Sequence, residues 1–176
     1  MTKELEARLV DYTADFLNAF PADGLTAKNV GRALGAFERT LRTPAPIDRY
    51  LNGDRSALSA SQQHGFDRFV QLGCVDCHSG PLIGAQRFER LGDKRPWPDD
   101  RDLGRFEITG RPADRHFFKI ASLRNVARTA PYFHDGSVPT LDEAVRLMGR
   151  HQLDFELSDA DVAALVDFLG ALSADP

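Results

Sequence analysis

Two cysteines and a histidine lie close together near the middle of the chain, in the run Cys74-Val75-Asp76-Cys77-His78. A C-x-x-C-H run is the attachment signature of c-type haem. Each thiol can add to one vinyl group of the porphyrin, and the adjacent imidazole can then bind the iron from one face. We therefore interpret Cys74, Cys77 and His78 as the attachment site of one covalent haem c.

Two other uses of a C-x-x-C pair fit this sequence less well. A thioredoxin-like redox motif is expected beside a βαβ pattern, and the sequence around Cys74 and Cys77 has none. A structural zinc site takes four Cys or His ligands, yet the chain has two cysteines in all. Because zinc would have to recruit scattered histidines, haem is the favoured interpretation.

The second axial ligand decides what the haem can do, because sulfur raises the reduction potential and an open position permits ligand chemistry. Met148 is the leading candidate, since the only other methionine is Met1. Spacing alone leaves open whether Met148 binds iron or fills a gap in the core. His151 shares the predicted helix face with Met148 and is the runner-up. The remaining histidines are further candidates, namely His64, His116 and His134.

The composition excludes some classes of function. The chain has 176 residues, 42% of them apolar, and a net charge of −4 at pH 7, which suits one domain or slightly more. The sequence has no run rich in Lys and Arg of the kind that predicts nucleic-acid binding. It also has no apolar run of the roughly 20 residues that span a bilayer. No apolar signal region follows residues 1–4. Since haem c is attached outside the bacterial cytoplasm, we expect the native N-terminus to be missing from this sequence.

Hydrophobic periodicity predicts a helical pair at the start of the chain. Apolar residues recur every three or four positions over 5–20 and again over 26–41, with Thr26 as the N-cap of the second helix. The run Thr43-Pro44-Ala45-Pro46 cannot continue a helix and marks a domain boundary. If this pair has lost a partner domain, as the family resemblance given below implies, part of its apolar stripes should be exposed and should favour self-association.

The rest of the chain also shows helical signals and no β pattern. A capping box at Ser59 and Gln62 opens a helix that runs into Cys74, and a second box at 140–143 opens a helix through about residue 150. Ser158 opens the last helix. Residues 79–115 are polar and lack periodicity, so we predict a long loop around the haem edge, with Trp97 packed in it. The predicted fold is all-α, a cytochrome c-like haem domain with long loops after a helical pair.

The sequence resembles the bacterial di-haem cytochrome c peroxidases along nearly its whole length. The likeness includes 74–81, 36–41, 48–54 and 102–106, and it is densest over 118–137, FKIASLRNVARTAPYFHDGS. In this family an N-terminal haem domain cleaves hydrogen peroxide. A C-terminal high-potential His/Met haem receives electrons from a small cytochrome c or copper protein. The resemblance implies that this chain is the C-terminal, electron-accepting half.

The resemblance also implies roles for individual residues. It makes His78 and Met148 the iron ligands, and it maps the backbone carbonyls of Thr129 and Pro131 onto an interdomain calcium site, where oxygen ligands suit the cation. Residues 1–42 become the closing helices of the peroxidatic domain, and 43–176 become the haem domain. With a single C-x-x-C-H motif, the chain alone is expected to lack the peroxidatic haem.

Three functions follow from these observations. The first is the electron-entry domain of a periplasmic di-haem peroxidase, whose partners are a small electron donor and the missing N-terminal haem domain; a homodimer is left open. The second is a stand-alone mono-haem electron carrier. The third is a relative that oxidises protein side chains. The third is disfavoured, because the resemblance implies that such relatives carry tyrosine where this chain has Met148.

Overall fold

The computed structural model describes residues 3–41 and 44–174. It divides the chain into two compact units, residues 1–42 and 43–176. The prediction of a mostly helical fold with long loops is confirmed. Within the described residues, no helix is long and apolar enough to cross a membrane.

The first unit contains helices α1 (Lys3–Arg8), α2 (Thr13–Ala19) and α3 (Ala27–Glu38). The prediction of one continuous helix over 5–20 is wrong, because a 3₁₀ turn at Val10–Tyr12 separates α1 from α2. The Thr13 hydroxyl donates to the Val10 carbonyl at 2.6 Å. Such a local bond offers the backbone an alternative to the regular helix.

A buried polar residue organises the junction between α2 and α3. Asn29 is 0% exposed, and its side-chain amide donates to Asp23 at 2.7 Å and to the Gly24 carbonyl at 2.8 Å. Its backbone N–H donates to the Thr26 hydroxyl, which confirms Thr26 as the N-cap of α3. Every described bond of this amide stays within the first unit, so Asn29 fixes the turn locally.

The first unit has little apolar core of its own. Among its residues whose burial is described, Gly24 and Asn29 are buried. Large apolar side chains are instead exposed on its helices and turns, namely Val10, Tyr12, Leu17, Leu34, Phe37 and Leu41. The expected exposure of the apolar stripes is therefore found, and self-association stays a prediction.

The second unit contains five helices among its described residues: α4 (Pro46–Leu51), α5 (Ala60–Gln71), α6 (Phe106–Thr109), α7 (Leu141–Leu153) and α8 (Asp159–Gly170). Two strands, β1 (Phe88–Arg90) and β2 (Phe117–Lys119), pair antiparallel with Glu89 opposite Phe118. The expectation of no β structure and of an unstructured 79–115 loop is wrong at these points. Three-residue strands are too short to display a period of two.

The core of the second unit lies between α5 and α8. Phe168 on α8 is 1% exposed and contacts Phe66 and Phe69 of α5, with ring centroids 5.4 and 5.3 Å apart. The helices meet closely at Gly65, where a Cβ would lie 2.0 Å from the Ala164 carbonyl oxygen. Only glycine permits this approach, because any side chain would collide with the α8 backbone.

Side-chain caps fix where the main helices begin. Ser59 and Gln62 form both bonds of the predicted capping box at the start of α5. Ser158 accepts from the Asp161 N–H and begins α8 as predicted. At α7, Thr140 accepts from the Glu143 N–H at 3.3 Å, which is one of the two bonds of the predicted box. These caps satisfy amide groups that a helix leaves without internal partners.

Candidate haem attachment site

The C-x-x-C-H run begins directly after α5. Gly73 leaves the helix with φ of +83°, a conformation that favours glycine. A 3₁₀ turn then spans Cys74–Asp76, and the Cys74 carbonyl accepts from the N–H groups of Cys77 (3.3 Å) and His78 (2.9 Å). This turn folds the three motif residues around one carbonyl. The two thiols remain free and half-buried.

The two cysteines differ in their surroundings. Cys74 packs against the hydrophobic core of the second unit, and burial raises its pKa to about 11. Cys77 is approached from the other side by Arg87, whose guanidinium lies 3.8 Å from its sulfur and donates to the Asp76 carbonyl at 2.7 Å. One sulfur is thus held by packing and the other by a polar contact.

His78 is held as a neutral ring. Burial lowers its pKa, and the nearby carbonyls of Ile83 and Ala121 offset this only in part. Its Nδ1 is buried and has no hydrogen bond of ordinary geometry among the described residues. Behind the ring stands Gly84, with φ of +124°, where a Cβ would lie 2.2 Å from the Ala121 oxygen and 3.2 Å from Nδ1. A neutral imidazole is the form that binds a metal.

The donor set and its surroundings fit a covalent haem. Partly buried apolar side chains pack on the core around the motif, namely Val75, Ile83, Leu123 and Val126. Two free thiols, a neutral imidazole and this apolar surface are what a porphyrin attached through thioethers requires. Cys74, Cys77 and His78 would hold it. These roles rest on the fit of the residues and stay predictions.

The candidates for the second ligand lie on or around α7. Met148 is half-buried on this helix. His151, three residues further on, is buried, and its Nδ1 lies 3.0 Å from the Arg95 carbonyl. Its ring also packs 5.0 Å from Trp97. His151 is thus engaged in contacts with residues 95 and 97, and the role of Met148 as the second iron ligand stays a prediction.

The other three histidines lie on separate elements. His64 is exposed on α5. His116 precedes β2 and exchanges backbone hydrogen bonds with Leu103 and Leu91. His134 stacks on Phe118 with ring centroids 4.1 Å apart. These contacts give His116 and His134 structural roles, in agreement with the usual behaviour of isolated histidines.

Arg124 ties the loop after the motif to α4. Its guanidinium makes two hydrogen bonds to the Asp48 carboxylate, at 2.6 and 2.9 Å, and a third to the Pro81 carbonyl at 2.7 Å. The bond to Arg124 is the main cause that lowers the pKa of Asp48. The sequence prediction missed this role, because Arg124 lies between polar and apolar neighbours and its partner Asp48 is distant in the chain.

The residues suggested for calcium are at the surface. Thr129 and Pro131 are both exposed and flank the cis peptide bond between Ala130 and Pro131. Among residues 3–41 and 44–174, no three His, Cys, Asp or Glu side chains are placed to hold a metal ion together. A calcium ion here would therefore depend on backbone carbonyls, as the resemblance implies.

Comparisons with known proteins place the chain in a family. A family model described as "Di-haem cytochrome c peroxidase" matches residues 1–56, and one described as "RoxA-like, cytochrome c-like" matches residues 121–153. The cytochrome c551 peroxidase of Nitrosomonas europaea is 37% identical over 99% of this chain and 53% of its own length. The cytochrome c peroxidase Ccp of Escherichia coli is 43% identical over 90% of this chain and 35% of its own length.

A solved structure supports the same relationship. A MauG-like protein associated with microbial copper homeostasis superposes with a TM-score of 0.78 at 28% identity, over 98% of this chain and 62% of that one. The chain spans about half or less of the length of the two peroxidases. The sequence and structure comparisons agree on the family, and this family implies c-type haem. The chain belongs to the di-haem cytochrome c peroxidase (MauG-like) family.

Proposed function

We propose that this chain is the electron-accepting half of a periplasmic di-haem cytochrome c peroxidase. It takes single electrons from a small cytochrome c or copper protein and passes them to a second, peroxidatic haem domain that reduces hydrogen peroxide. The observation that carries the proposal is the single C-x-x-C-H turn, which gathers Cys74, Cys77 and the half-buried His78 around one carbonyl, in a chain related to peroxidases about twice its length or longer.

The residues of this chain divide the work of such a site. Cys74 and Cys77 would hold the porphyrin through thioethers, and His78 and Met148 would be the protein ligands of its iron. A haem with two protein ligands supplies reversible one-electron transfer at a raised potential. With Met148 as the second ligand, the haem would supply electron transfer, and the peroxide chemistry would belong to the partner domain.

The first unit has a separate role in this proposal. Residues 1–42 are the closing helices of the peroxidatic domain, which accounts for their exposed apolar side chains. The backbone carbonyls of Thr129 and Pro131 would supply oxygen ligands to a calcium ion in the full protein. The proposal is thus of one haem on this chain and a second in the full protein.

The ligand assignment is tested by Met148→Ala in protein matured with haem. We expect the red-region sulfur–iron absorption band and the high reduction potential to be lost. Leu147→Ala is the matched control, because Leu147 is a half-buried apolar neighbour on α7; it should keep both. The unmodified chain should reduce peroxide slowly and retain its haem after acid–acetone extraction. Vigorous peroxide turnover by this chain, or an unchanged band in the Met148 variant, would contradict the proposal.

A further inference from the structure

Residues 87–97 contact the turn of the cysteine motif at one end and helix α7 at the other; we call them the strap segment. At its start, Arg87 donates to the Asp76 carbonyl and lies 3.8 Å from the Cys77 sulfur. Its Nε also pairs with Glu89 at 2.8 Å. The next three residues form β1, which is fixed by its pairing with β2. The start of the strap segment is therefore held against the turn that carries both thiols.

The other end of the strap segment is bound to the last turn of α7. The Gln152 side-chain oxygen accepts from the N–H groups of Gly92 (2.9 Å) and Asp93 (3.0 Å), and its amide donates to the Arg90 carbonyl at 3.0 Å. Gln152 therefore uses both its acceptor and a donor on the backbone of this one segment. A satisfied polar network of this kind fixes a single arrangement of the elements that it joins.

Backbone and ring contacts reinforce that end. The His151 carbonyl accepts from the N–H groups of Lys94 and Arg95, at 3.0 and 3.1 Å. Trp97 packs its ring against His151, one helical turn beyond Met148. A Cβ at Gly92 would lie 2.5 Å from the backbone nitrogen of Trp97, so the segment turns tightly where it meets α7.

We propose that the strap segment sets the position of α7 relative to the cysteine motif, with Gln152 as the positioning residue for the Met148 sulfur. The inference rests on the proposed function, because it takes Met148 as the iron ligand. One continuous stretch of chain contacts the motif at one end and the ligand-bearing helix at the other. Loosening that stretch frees α7 to move, so the sulfur–iron bond opens more often while the thioethers and His78 stay in place.

The test measures displacement of Met148 by imidazole in the oxidised, haem-loaded chain. In Gln152→Ala, we expect imidazole to bind about tenfold more tightly, the factor expected when one or two net hydrogen bonds no longer hold the helix. The reduction potential should fall in the same variant, since the sulfur ligand is bound for less of the time. Gln152→Glu keeps the acceptor for Gly92 and Asp93, so it should restore part of the imidazole resistance.

Arg146→Gln is the matched control. Arg146 lies on α7 and pairs with Asp159 at 2.6 Å at the start of α8, away from the strap segment. It should lower the melting temperature without changing the imidazole affinity or the potential. Equal imidazole affinity in Gln152→Ala and the unmodified chain overturns the proposal, as does an equal gain in affinity in Arg146→Gln. Absence of the sulfur–iron band from the unmodified chain would instead contradict the proposed function, and the strap proposal with it.

Discussion

The two units of this chain are both helical, yet different interactions hold them together. In the second unit, α5 and α8 pack around Phe168, which is 1% exposed. In the first unit, Phe37 and Leu41 are about 60% exposed, and the buried side chain among those described is the polar Asn29. Apolar burial stabilises the second unit, whereas hydrogen bonds at one junction fix the first.

This difference predicts which positions of the chain tolerate substitution. In a close-packed core, one added methyl group lowers the free energy of unfolding because neighbouring atoms cannot move aside. On exposed helices, the same group meets solvent and mainly changes backbone entropy. Substitutions in the two units should therefore have effects of different size and, at glycine, of opposite sign.

The largest effect is expected at the contact between α5 and α8. Gly65→Ala would place a Cβ 2.0 Å from the Ala164 oxygen and 2.7 Å from the Phe168 Cβ, so the helices must separate. We expect the free energy of unfolding of the second unit to fall by about 3 kcal/mol, at the upper end of overpacking costs. Urea denaturation followed by circular dichroism measures this change.

Gly31→Ala provides the comparison in the first unit. Gly31 lies inside α3, and a methyl group added there would meet no atom within 4 Å. The substitution should stabilise α3 by about 0.5–1 kcal/mol, because alanine is the better helix former. If the two alanine substitutions had the same sign, the contrast between the units would be wrong.

A smaller effect is expected at the polar junction of the first unit. Asn29→Ala leaves the Gly24 carbonyl and Asp23 without their amide donor. The cost should be about 2 kcal/mol, which is typical of buried groups left unpaired. Hydrogen exchange of the α3 amides should accelerate while that of the α5 and α8 amides stays unchanged. Equal acceleration in both units would show that they unfold together.

The smallest loss of stability is expected at the ion pair of the second unit. Asp48→Asn weakens the paired bonds to Arg124. Because Asp48 is 33% exposed, solvent screening keeps the cost near about 1 kcal/mol. Unfolding by urea at a series of pH values, for both proteins, measures this difference.

The pH dependence gives the sign of this effect. Arg124 lowers the pKa of Asp48 below its ordinary value of 3.8. A lowered carboxyl pKa contributes stability that is present above the ordinary value and is lost as pH falls through the folded one. The difference between the unmodified protein and Asp48→Asn should therefore be full at pH 6 and be lost as the pH falls through the lowered pKa of Asp48. A gap that persists in acid would assign the effect to packing instead.

Local signals in the sequence predicted the long helices and their caps. Ser59, Thr26 and Ser158 begin helices where their side chains reach the amide three residues ahead. Such caps depend on neighbours in the chain, so the local sequence is enough to predict them. The closeness of Cys74, Cys77 and His78 within one turn also follows from their spacing.

The interactions between distant segments were not predictable in this way. The strands at 88–90 and 117–119 find each other across a long intervening segment, and neither has a pattern of its own. Gln152 is an ordinary helix-surface residue in the sequence, and only the fold places the N–H groups of Gly92 and Asp93 against it. Arg87 likewise contacts Cys77 only because the fold brings these two residues together.

Main-chain atoms of Gly84 and Ala121 lie beside the imidazole of His78. A Cβ at Gly84 would lie 2.2 Å from the Ala121 carbonyl oxygen and 3.2 Å from the imidazole Nδ1, and a peptide oxygen persists whatever residue is encoded at position 121. A change of side chain at position 121 therefore leaves that oxygen in place behind the imidazole. Differences in reduction potential among relatives of this domain would then arise elsewhere, at the second axial ligand or at charged side chains near the haem edge.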